Sequence, residues 1–117
     1  MAYDDELADR VRALLKGERA LEEKRMFGGL GMLLNGNMAV AVRGKGGLLV
    51  RIDPNDADEV LREPGAKLMK MRGKTMRGWI TVDPKACSRP ADVRRWVKRG
   101  VAYAKSLPKK GSGGRIL

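Results

Sequence analysis

Leu7, Val11, Leu14 and Leu15 fall at the i, i+4, i+7 and i+8 positions of one helical face, and charged residues take the other. The pattern predicts a first helix capped by Asp4 or Asp5, running to about Lys16 and stopped by Gly17. After a polar stretch the period changes. Lys24-Arg25-Met26-Phe27 leads through Gly28-Gly29 into an apolar run over 30–34, and Asn35-Gly36-Asn37 separates that run from a second over 38–43. Asn and Gly tolerate the positive φ of tight hairpins, so the two runs read as paired strands. A turn at Gly44-Lys45-Gly46-Gly47 then leads into a strand over 48–52, completing an antiparallel meander.

Asp53-Pro54 ends the meander, and Asn55 or Asp56 is expected to cap a short helix to about Glu63, with Ala57, Val60 and Leu61 inward. Pro64-Gly65 breaks it. Two more strands are expected over 67–72 and 79–82, joined by residues 73–78 and closed by Asp83-Pro84. Ser88 with Pro90 opens a last helix, in which Val93, Trp96, Val97, Gly100, Val101 and Ala104 repeat at helical spacing as far as Leu107, before Pro108. Residues 109–117 lack periodicity and are expected to form a disordered tail after one domain over 1–108. The order helix, three or four strands, helix, two strands, helix gives an α+β fold of two layers, an antiparallel sheet packed against helices.

Charge changes this picture. The chain carries 25 Lys and Arg against 14 Asp and Glu, a formal charge of +11. Residues 24–52 contain Lys24, Arg25, Arg43, Lys45 and Arg51 with no acid, and residues 67–82 contain Lys67, Lys70, Arg72, Lys74 and Arg77 with none. A polyanion is the first partner to consider, because a cation set beside a phosphate releases a condensed counterion. Solubility is the plainer use of so many Lys residues. No apolar run approaches the ~20 residues that span a bilayer, and the acidic start Asp4-Asp5-Glu6 is unlike a secretory signal. With a single Cys, Cys87, these features point to a cytoplasmic protein with no membrane partner. Cys87 is expected in a loop, where Cys87→Ser costs almost nothing.

The chain has no His, so Ser-His and Cys-His nucleophiles lack a base and the usual zinc and non-haem iron sites lack ligands. Asp4, Asp5, Glu6 and Asp56 are read as helix caps, not as catalytic carboxylates. No catalytic residue, metal ligand or cofactor site is assigned, and a non-enzymatic role is expected. Phe27-Gly28-Gly29 and Gly44-Lys45-Gly46-Gly47 are read as a bend and a turn, because neither ends in the Lys-Ser or Lys-Thr of a phosphate loop and the second opens no helix. Met26, Met32, Met38, Met69, Met71 and Met76 could line an adaptable groove, but core gap-filling is the commoner use of Met and is the reading taken.

The stretches Lys24-Arg25-Met26-Phe27-Gly28-Gly29-Leu30-Gly31, Asn35-Gly36-Asn37-Met38-Ala39-Val40, Leu48-Leu49-Val50-Arg51, Met76-Arg77-Gly78-Trp79 and Ala102-Tyr103-Ala104-Lys105-Ser106-Leu107-Pro108 together resemble the TfoX/Sxy N-terminal domain family. The resemblance extends over about residues 2–108. It implies a secretion-chaperone-like α+β fold and a role like that of competence and transcription regulators, which act with a cyclic-AMP receptor protein. Those longer regulators carry a second, helical domain for which this sequence has no room. The family supplies no catalytic set to carry over.

The candidate nucleic-acid contacts are two basic clusters. Arg94 and Lys98, like Arg95 and Arg99, lie four apart on the last helix, a like-charge spacing that costs a few tenths of a kcal/mol. Lys70, Arg72, Lys74 and Arg77 form the second cluster, in the later hairpin. For the helix stripe a solvated face and an anion-binding face stay equally open. Trp96 is expected inside. The chain's few aromatic residues, Tyr3, Phe27, Trp79, Trp96 and Tyr103, argue against a base-stacking platform. The partner expected is nucleic acid, met through its phosphates, or a transcription-related protein. The alternative is a protein-interaction or homodimerisation module that uses a sheet edge.

Overall fold

The computed structural model describes residues 3–26 and 28–108. The tail expected over 109–117 lies outside them. Helix α1 spans Asp5–Leu15, and the Asp4 carboxylate accepts from the amides of Glu6 and Leu7, which satisfies two of the donors that open a helix. Strands β1 (Leu21–Met26), β2 (Gly29–Leu34), β3 (Asn37–Val42) and β4 (Leu48–Arg51) follow. A single 3-10 turn over Pro54–Asp56 runs into the short helix α2 (Ala57–Val60), and strands β5 (Ala66–Met71) and β6 (Lys74–Val82) come next. A second 3-10 turn, Pro84–Cys87, precedes the long helix α3 (Pro90–Ser106). All strand pairs are antiparallel, in one six-stranded sheet of order β1-β2-β3-β4-β6-β5. The α+β class, the two-layer build and the element order all agree with the sequence.

Local chemistry sets the turns. Asn35 and Gly36 take φ of +53° and +81° between β2 and β3, the left-handed pair that a two-residue hairpin requires. Arg72 and Gly73, at +54° and +80°, do the same between β5 and β6. This tight turn lets β6 begin at Lys74, so all but Gly73 of the connection expected over 73–78 is strand instead. The caps differ too. Asp53, not Asn55 or Asp56, caps the turn before α2, and the Ser88 hydroxyl donates to the carbonyl of Lys85 and leaves α3 with no side-chain cap.

The register divides the sheet into two faces. Leu30, Val42, Leu48 and Val82 lie in one cross-strand row, and Met32, Val40, Val50 and Ile80 in another. These rows form the core with α1 and α3. α3 packs across β3, β4 and β2, and α1 packs on α3. Leu7, Ala8, Val11 and Leu15 bury the inner face of α1, whereas Leu14 remains 36% exposed. The apolar stripe of α1 is therefore narrower than its spacing suggests. Cys87 is not in a loop. It is 3% exposed, belongs to the core, and its Sγ–H donates to the carbonyl of Asp83 at 3.3 Å.

Candidate docking groove on the uncovered sheet face

Side chains alternate along each strand, so the rows between those of the core point away from the helices. Lys24, Gly31, Ala41, Leu49, Thr81 and Lys67 pair in succession across the whole sheet, with a Lys at each edge and small or apolar residues between. An antiparallel sheet whose second face meets water normally carries polar residues there. Here the second face is apolar, and it forms the floor of a groove of about 1040 Å³.

Met26, Met38, Met69, Met71 and Met76 line this groove beside Leu49 and Trp79. Each methionine has an identifiable position. Met26 and Met38 converge over Gly31, where a β-carbon would stand 3.1 Å from the terminal methyl of each. Gly31 therefore leaves the hollow that the two thioethers partly fill. Met69 and Met76 are cross-strand partners beside a register shift in the β5–β6 hairpin, and Met71 is 40% exposed. Of the six methionines read as core fillers, Met32 is in the core and the other five line the groove. The physical reason is the face each strand position takes: alternation decides it for Met26, and the irregular register between β2 and β3 decides it for Met38, which alternation alone would set beside Val40. Met32 shares a face with Val40, whereas Met26 and Met38 lie over Gly31 on the other side.

The rim is basic. Arg43, Lys45, Lys67 and Lys70 are the charged residues that line the groove, with no Asp or Glu among the lining. None of the four joins an ion pair among the described residues. Beyond the groove, the Arg51 guanidinium stands 5.0 Å from the ring centre of Trp79 and 5.6 Å from that of Tyr103, so it sits between two aromatic faces.

The sequence-selected cations fall on separate parts of the molecule. Lys70 belongs to the groove rim. Arg72 and Lys74 are exposed at the tip of the β5–β6 hairpin, and Arg77 pairs with Asp58 at 3.2 Å. Arg94, Arg95, Lys98 and Arg99 lie on α3, in the layer covering the opposite face of the sheet. Arg94 and Lys98 are exposed. Arg95 donates to Asp92 and to Glu63, both at 3.0 Å, and Arg99 also pairs with Glu63. The Arg99 guanidinium lies 4.8 Å from the ring centre of buried Trp96. Arg95 and Arg99 thus tie the segment after α2 to α3. The hydrogen bond to Asp92, with Glu63 beside it, raises the already high pKa of Arg95.

Sequence reasoning passed over Arg43, Lys45 and Lys67 as a rim because it weighed cations by run and not by face. A signal was present in β2 and β3, where residues 29–34 and 38–42 are apolar on both alternating faces. A sheet with helices enough for one face should not need that.

Among the described residues, no group of three or more His, Cys, Asp or Glu could hold a metal ion, and no helix is long and apolar enough to cross a membrane. The antiparallel sheet, its one helical layer and its uncovered groove define a two-layer α+β domain. The family model of the TfoX N-terminal domain matches residues 13–104, and the chain belongs to that family. No curated protein and no solved structure matches the chain.

Proposed function

We propose that this domain works in regulation as a docking module, holding an apolar segment of a partner protein on the uncovered face of its sheet. The observation that carries this reading is the groove of about 1040 Å³, whose apolar floor is covered by nothing in the chain's described residues. Exposed contiguous apolar surface is costly to keep and marks interaction sites. Thioether side chains suit a docking floor, since unbranched, polarisable Met adapts to several partners of similar shape. A regulatory role agrees with membership of the TfoX N-terminal family.

The test is an unbiased one. Random peptides displayed on phage and selected on the native protein should enrich sequences with spaced aliphatic residues, and those sequences should fail to bind Leu49→Glu, which places a charge on the floor. Circular dichroism would establish that Leu49→Glu remains folded. Failure to enrich any sequence, or equal binding to the variant, would contradict the reading.

A second reading, contact with nucleic-acid phosphates, draws on the exposed pair Arg94 and Lys98 and on the +11 charge. With Arg95 and Arg99 engaged by Glu63, the stripe offers fewer unpaired cations than its sequence suggests. Reversing Arg94 and Lys98 to Glu should flatten the salt slope of duplex binding by about two, at ~0.9 per phosphate neutralised. Unchanged DNA binding in that variant, or none by the native protein at low salt, removes this second reading.

A further inference from the structure

Resting on the docking reading, we infer that the groove receives an acidic amphipathic helix of a partner protein. The floor requires an occupant that satisfies its own backbone. Leu49, Trp79 and the methionines offer no carbonyl or amide partners, and the inner strands β3, β4 and β6 beneath them spend their backbone groups on their neighbours, so that only the outer edge of β5, at the side of the floor, has backbone groups to spare. An extended segment laid on this floor would bury unpaired N–H and C=O groups, whereas a helix pairs them internally. The opposite face of the same sheet already takes a helix, α3, in this way.

The groove also opens to solvent. Met26, Met38, Leu49, Met69 and Met76 are half-buried, and Met71 is exposed. A small apolar ligand gains most from enclosure, while an amphipathic helix needs one side left in water.

Charge then selects the partner. Arg43 and Lys45 at the β3–β4 turn and Lys67 and Lys70 on β5 supply the rim, with no acid among the lining residues. Carboxylates on the flanks of a docked helix would meet unpaired cations, and basic flanks would be repelled. The same rim disfavours a second copy of this chain, which carries +11. It also disfavours the chain's own last residues, in which Lys109, Lys110 and Arg115 precede the apolar Ile116 and Leu117.

The experiment uses the full chain and synthetic peptides of roughly 15 residues, long enough for an isolated helix to begin to hold. All share Leu at i, i+3, i+4 and i+7, with the remaining positions filled by Glu, by Gln or by Lys. A fourth carries Glu with a central Pro. Fluorescence anisotropy at low and moderate salt should rank the Glu peptide first, on the order of a hundredfold over the Lys peptide, with the gap shrinking as salt screens the rim. Lys67→Glu with Lys70→Glu should weaken the Glu peptide at least about tenfold and strengthen the Lys peptide, with circular dichroism establishing that the variant is folded.

Equal affinity for Glu and Gln peptides would overturn the acidic partner and leave the docking reading standing. Equal affinity of the Pro peptide would overturn the helix. If no peptide binds, the docking reading falls as well. Saturation by dodecanoate without any peptide binding would assign the groove to a small apolar anion, and a dimer in sedimentation that buries the methionines would assign it to a second copy. Either result overturns the inference.

Discussion

Gly100 of α3 rests directly on the backbone carbonyl of Ala39 in β3, with no room between them for a β-carbon. This contact seats the long helix on the sheet, and Gly100 lies in the same buried stripe as Trp96 and Val97. Replacing a mid-helix Gly by Ala would by propensity alone gain about 1 kcal/mol. Here the clash prevails, because the opposing atom is backbone and cannot turn aside. Gly100→Ala should lower stability in urea denaturation by about 1–3 kcal/mol. A neutral or stabilising result would mean that α3 can lift from the sheet at no cost.

Trp96 is fully buried and is the largest side chain in the core. Trp96→Ala should cost about 3–5 kcal/mol, a large share of what holds a small domain folded. The midpoint of denaturation measures it. A loss below about 1 kcal/mol would place the weight of the core elsewhere.

Cys87 ends the 3-10 turn before α3, and burial, reinforced by nearby Asp4, Asp92 and Asp83, pushes its thiol up to about 11. A raised pKa in the folded state means that stability is full below the ordinary value of 9.0 and falls as pH rises through 9 to 11. Labelling by a disulfide reagent near pH 8 should be slow in the native protein and complete on unfolding. Cys87→Ser should cost on the order of 1 kcal/mol, since it buries a hydroxyl in place of a weakly polar thiol. Fast labelling of the folded chain would contradict this placement.

Arg12 of α1 grips Glu23 of β1 with two hydrogen bonds, 2.8 and 3.1 Å, and this bond holds Glu23 below its ordinary 4.5. The stabilisation it gives is present above that ordinary value and disappears as pH falls through the lowered one. Both side chains are more than a third exposed, so screening limits the effect to about 1 kcal/mol or less. Arg12→Ala should flatten the acid limb of a stability profile below about pH 4.5 and leave its alkaline limb unchanged. An identical acid limb in the variant would show that the pair contributes nothing.

The fold was legible where the signals were local. Asn35-Gly36 is a backbone conformation written in two residues, and the spacing of Val93, Trp96, Val97 and Gly100 marks the buried side of α3. The hairpin turn at Arg72-Gly73 was missed because Arg rarely takes a positive φ, and only the pairing of Met71 with Lys74 across it makes the turn plain. The groove was harder. Whether Met38 fills the core or lines a surface depends on strand parity and on the irregular register between β2 and β3, both of which are set by pairing. The partners of Arg95 and Arg99 were hidden for the same reason, since Glu63 is remote in sequence and meets them only when α3 lies beside the segment after α2.

The methyl carbons of methionine give the most direct reading of the docking claim, because Met32 is in the core while Met26, Met38, Met69, Met71 and Met76 line the groove. With methyl-13C-labelled protein, titration of a groove-binding peptide should shift the signals of those five and leave Met32 in place. If the peptide leaves the five unmoved, or if duplex DNA shifts them as strongly, the uncovered face of this sheet is not where the protein holds its partner.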